Sequence, residues 1–127
     1  MPKIIWLGNR HDPLPIQKAE LNRLFPGYEI IVERSYFHNT KALISRYHDL
    51  GGDEMVALIP MHMLMDITKH GYRPIYSVMK KVEDGEDYDS TDVKSRSPKV
   101  IKYKFMEFVR LVSIEMKTQK LKPLAPV

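Results

Sequence analysis

At 127 residues the chain has the length of one domain with a real hydrophobic core, and its 43% apolar and 28% charged residues are ordinary for a globular protein. It has no cysteine, which excludes a disulfide framework and any thiolate nucleophile or metal ligand. The net charge of +4 conceals an acidic run, EDGEDYDSTD (83–92), with six acids and no base; the remainder carries +10, which suits either a polyanionic partner or a solvated basic face.

The N-terminal apolar run MPKIIWLG is too short for a signal peptide, and no stretch approaches a membrane span. A cytoplasmic protein without membrane contact is expected. KIIWLG (3–8) is short, apolar and β-branched and reads as a buried strand, with Trp6 in the core. IQKAELNRLF (16–25) reads as a helix with Leu21, Leu24 and Phe25 on one face. Pro15 suits its first turn and PG (26–27) stops it. YEIIVERSYF (28–37) is the second strand. NTKALISRYHDL (39–50) is the second helix, capped by Asn39 or Thr40, with Leu43, Ile44, Tyr47 and Leu50 in a stripe closed by the GG pair (51–52).

EMVALIP (54–60) reads as a third buried strand. MHMLMDITKHG (61–71) reads as a third helix, with Met61, Leu64 and Met65 inward and Met63 outward. PIYSVMKKV (74–82) is the fourth strand. The β-α-β-α-β-α-β order predicts one α/β domain with a mostly parallel sheet and helices on its faces. The acidic stretch through Pro98 reads as an exposed loop. KVIKYKFMEFVRLVSIEMKT (99–118) reads as one or two added strands. A helix over 103–112 is the rival, because Phe105, Phe108, Val109 and Val112 also fit helical spacing. Residues 119–127 read as a frayed tail.

Open α/β sheets bind ligands beyond the carboxyl ends of their strands, where strand order reverses. With the first strand central, that crevice collects Asn9, Arg10 and His11 after strand one and Pro60, Met61, His62 and Met63 after strand three. Ser35, Tyr36 and His38 follow strand two along the same edge. Arg10 offers a rigid fork of donors suited to phosphate, or is a surface arginine. His11 can transfer a proton near neutral pH, or only brace the turn. His62 sits in the first turn of a helix, where free N–H groups favour an anion, or it merely caps that helix. His48 and His70 lie near helix C-termini and read as structural or solvated. No two histidines have H-x-x-x-H spacing and the acidic run lacks calcium-loop spacing, so neither a metal nor another cofactor is expected. The lysines of the C-terminal segment interleave with Tyr103, Phe105 and Phe108, a pattern open to nucleic-acid binding with stacked rings or to a basic outer face.

Two stretches taken together resemble the small CRISPR-associated ring nucleases related to CARF domains. One is NRHDPLPIQ (9–17), with an Arg-His pair straight after strand one. The other is DEMVALIPMHMLMDITKHGYRPIYSVM (53–79), a strand ending in Pro-x-His, then a helix, a glycine and another strand. The resemblance covers about residues 3–80; residues 81–127 have no counterpart, and the two prolines after His11 depart from it. It implies a Rossmann-like three-layer fold, a homodimer, and a cyclic oligoadenylate ligand, an antiviral second messenger. It also implies metal-independent cleavage in which a ribose 2′-OH attacks its own 3′-phosphate. Arg10, His11 and His62 would be catalytic, and Asn9, Ser35, Tyr36, His38, Pro60, Met61 and Met63 would contact the ring. A ring-binding sensor that does not cleave would use the same residues. The alternative is a non-enzymatic nucleic-acid-binding or regulatory module built on the basic C-terminal segment. A third is an interaction protein whose acidic loop docks a basic partner.

Overall fold

The computed structural model describes residues 1–8, 11–82, 93–94 and 102–124. Its elements in chain order are β1 (Lys3–Leu7), α1 (Pro15–Leu24), β2 (Glu29–Glu33), α2 (Thr40–Asp49), β3 (Glu54–Ala57), α3 (Met61–Lys69), β4 (Ile75–Lys81), the two-residue β5 (Val93–Lys94) and β6 (Lys102–Arg110). They build one six-stranded sheet in the order β2-β1-β3-β4-β6-β5. The first four strands are parallel, with Ile5 opposite Ile31 and Met55, and Val56 opposite Ile75. The last two add antiparallel pairs. This is the expected α/β fold with a mostly parallel sheet, and strand order reverses between β1 and β3.

Alternation along the strands assigns the layers. Ile5, Leu7, Met55 and Ala57 face α2 and α3, packing on Leu43, Tyr47, Met63, Leu64 and Ile67. Ile4, Trp6 and Val56 face the other way, onto Leu21 of α1, with Ile75 and Phe108 in the same cluster. A strand buried on both faces must be apolar throughout, which is why KIIWL shows no polar alternation.

The caps are chemical. Asn39 Oδ1 accepts from Ala42 N at 2.8 Å and so begins α2. Gln17, which is buried, accepts from Leu14 N at 2.8 Å and donates to Ser77 Oγ at 3.0 Å, tying the start of α1 to β4. Leu24 is exposed, contrary to expectation, because α1 turns Gln17 and Leu21 inward. On α3 the methionines exchange roles. Met63 is 4% exposed and Met61 56%, since the inward face is Met63, Leu64, Ile67 and Thr68 and Met61 is the first residue at the rim. β2 ends at Glu33 rather than residue 37, because its neighbour β1 ends opposite it at Leu7.

Residues 102–110 are a strand, not a helix. A β-bulge explains the helical spacing: Phe105 pairs with Met79 and Phe108 with Ser77, leaving Met106 as the extra residue between them. The phase shift puts both phenylalanines, three positions apart, on the α1 side, where their rings lie 4.8 Å apart and Phe108 meets Trp6 edge-on at 6.4 Å. The strand stops at Arg110. Residues 111–124 have no regular structure, although Leu111 and Ile114 pack on the α2/α3 core, so the extension holds fewer strand residues than expected. Of the expected acidic loop, residues 83–92 and 95–98 lie outside the described residues, and Val93–Lys94 form β5 rather than loop. No helix among the described residues is long and apolar enough to cross a membrane.

Candidate ligand cleft at the strand-order reversal

Beyond the carboxyl ends of β1, β2 and β3 lies a cleft of about 350 Å³. Its floor is Leu7 and Gly8, one wall is Leu58, Ile59, Pro60 and Met63, and the other is Ser35, Tyr36, Phe37 and Leu43. His11 closes it at the β1 loop. Gly8 matters by size, since a Cβ there would lie 3.0 Å from Leu58 Cδ1.

Five of the expected ligand residues therefore meet in one place: His11, Ser35, Tyr36, Pro60 and Met63. His38 stands edge-on to Tyr36, ring centroids 5.0 Å apart, and both are exposed, Tyr36 by 66%. Met61 and His62 are exposed in the first turn of α3 and do not line the cleft. Asn9 and Arg10 lie outside the described residues. Phe105 is buried and Phe108 half-buried in the α1-side core, so neither offers a free ring for nucleic-acid stacking. Among the described residues, no three His, Asp or Glu side chains come together as a metal site would need.

Three features of the cleft's frame were not legible from spacing. Trp6 Nε1 donates to the His11 carbonyl at 3.0 Å, so a fully buried ring anchors the loop that carries His11. Asp12 takes the guanidinium fork of Arg34, both bonds at 2.8 Å, joining the loops after β1 and β2. Glu33, nearly buried at the end of β2, accepts from Ser35 Oγ at 2.6 Å and Ser35 N at 3.1 Å, and from Arg46 Nε at 2.8 Å. The α3 N-terminus bordering the cleft has Pro60 at its cap, no side-chain cap and no acid in its first turn, leaving it open to an anion.

No family model, curated protein or solved structure matches this chain.

Hydrogen bonds from Ser35, then Arg46, hold the Glu33 carboxyl below its ordinary value of 4.5. A carboxylate with a depressed folded pKa stabilises the protein fully above its unfolded value, and that contribution is lost as pH falls through the folded value. Glu33→Gln should remove on the order of 1 kcal/mol at pH 7, and progressively less at an acid pH as the medium falls from the ordinary 4.5 through the lowered folded value. Urea unfolding at neutral and acid pH checks this; an equal loss at both would assign the effect to packing instead.

Proposed function

We propose that the protein binds an RNA-like ligand, a cyclic oligoadenylate, at the cleft where strand order reverses, two copies facing the symmetric ring. The observation that carries the reading is the coincidence of His11, Ser35, Tyr36, Pro60 and Met63 around a single cavity of about 350 Å³. Apolar walls suit a nucleobase, and cavities of this size suit small ligands. The exposed Tyr36 ring at the mouth supplies a stacking face. The uncapped start of α3, with His62 in its first turn, favours a phosphate beside the cleft.

In the catalytic form of this proposal the ribose 2′-OH attacks the adjacent phosphorus and the 5′-oxygen leaves. The ring opens to a linear strand with a 2′,3′-cyclic phosphate and a 5′-OH, and no water is consumed. The protein's part is to hold the hydroxyl in line and stabilise the negative charge that develops on the phosphoryl oxygens of the phosphorane-like transition state. His11 is the proton-transfer group, Arg10 the expected phosphate clamp, and His62 a donor at the rim.

Cyclic tetra- and hexa-adenylate are incubated with the protein in EDTA and the products chromatographed. Linear products ending in a 2′,3′-cyclic phosphate are expected, reduced about 10²–10⁴-fold in His11→Ala. Binding without cleavage would leave a sensor, and neither binding nor cleavage would overturn the reading. A specific observation favours a second reading: Lys104, Lys117, Lys120 and Lys122 are all exposed. Tight, steeply salt-dependent binding of long RNA that survives Tyr36→Ala would move the function to that segment.

A further inference from the structure

The Asp12–Arg34 pair bridges the loops after β1 and β2, and its immediate neighbours His11 and Ser35 both line the cleft. The side chains are 58% and 64% exposed, and an ion pair so open to water adds little to stability. Its geometry is nevertheless specific. Asp12 Oδ1 meets Arg34 Nε and Oδ2 meets Nη2, each at 2.8 Å, a two-point fork that a guanidinium offers equally to a phosphate. Arg46 makes the contrast: its partner Glu33 is nearly buried and is also held by Ser35, so that pair is built to stay. Glu33 is thereby committed elsewhere and does not compete for the adjacent Arg34.

Neither Asp12 nor Arg34 lines the cleft; the pair stands beside it. We propose that Arg34 is a phosphate-binding residue at the edge of the cleft and Asp12 its built-in competitor, displaced when a phosphate of the ligand takes the guanidinium fork. The inference rests on the nucleotide reading of the cleft and adds a residue to it. Asp12 sets the threshold for binding. It occupies the fork in the free protein and joins the loops after β1 and β2, so a phosphate must displace it, whereas a ligand without a phosphate leaves the pair in place.

The test compares cyclic tetra-adenylate, adenosine 3′-monophosphate and adenosine by calorimetry on the wild type, Asp12→Asn, Arg34→Ala and Arg34→Lys. Both side chains are exposed, so the variants should melt with the wild type; Arg34→Lys keeps the charge and loses only the fork. Arg34→Ala is expected to weaken both phosphate ligands about 10- to 100-fold and leave adenosine unchanged, with Arg34→Lys between. Asp12→Asn is expected to tighten the phosphate ligands several-fold, by removing the competitor. Phosphate ligands that bind wild type and Arg34→Ala equally would overturn the role of Arg34 while leaving the nucleotide reading intact. So would an equal loss for adenosine and its phosphates. Binding to Asp12→Asn alone would support the competitor. No binding to either wild type or Asp12→Asn would overturn the nucleotide reading and this inference with it.

Discussion

Trp6→Ala is expected to cost about 3–5 kcal/mol, a large share of the roughly 5–15 kcal/mol that holds a domain of this kind together. Trp6 is fully buried, packs in one cluster with Ile4, Leu21, Val56 and Ile75, and meets Phe108 edge-on. Its truncation opens a cavity between β1, α1 and the strands added after β4. Urea unfolding reads the loss. Trp6→Phe separates packing from anchoring. A phenyl ring keeps most of the buried surface but cannot donate to the His11 carbonyl, 3.0 Å from Nε1 in the wild type. About 1 kcal/mol of stability should go with that bond. The more informative readout is local: amide exchange in residues 11–14 should quicken, and ligand affinity should fall by more than the stability change predicts. Unaltered exchange there would mean that the two prolines, not the indole, hold the loop.

Much of this architecture can be read without coordinates because parallel strands buried on both faces leave few options. KIIWL has no polar residue past Lys3, and no amphipathic alternative competes with it. The rim of the cleft was legible for a topological reason: once β1 is central, the residues after β1 and β3 must meet. What failed depended on phase or on partners distant in sequence. Met61 and Met63 differ only in helical phase at a helix's first residue, where one position changes which of them faces the sheet. Phe105 and Phe108 imitate a helix because a single inserted residue, Met106, shifts the strand's alternation. The cleft's polar frame could not be read at all, since Asp12–Arg34 and Glu33–Arg46 form between segments whose loop geometry no local pattern records. Glu33 is the instructive case. A glutamate closing a strand reads as a solvated end, yet it is nearly buried because Ser35 folds back onto it.

Gly52→Ala is expected to destabilise by about 1–3 kcal/mol, for a reason of space rather than backbone freedom. A Cβ at Gly52 would fall 2.3 Å from Tyr47 Cε2 and 2.7 Å from Ile5 Cγ1. Both are core side chains, so neither can swing aside into water. Gly51 provides the contrast. It takes a left-handed φ of +70°, and its nearest neighbour would be Lys3 Nζ at 3.8 Å, so Gly51→Ala carries only the strain of the turn, about 1 kcal/mol. Tyr47 reports which mechanism operates. Burial, aided by the nearby charges of Glu54 and Asp53, pushes its phenol up to about 12 from an ordinary 10.0. The neutral phenol is the form the fold favours, so its contribution to stability is complete below pH 10 and is lost as pH rises towards 12. In Gly52→Ala the displaced ring should titrate nearer 10, seen as one further tyrosine ionising early in the ultraviolet difference spectrum, and the alkaline loss of stability should shrink. Gly51→Ala should leave that titration unchanged. If both variants cost the same and neither moves Tyr47, the close approach of residue 52 to Tyr47 and Ile5 is not what requires glycine there.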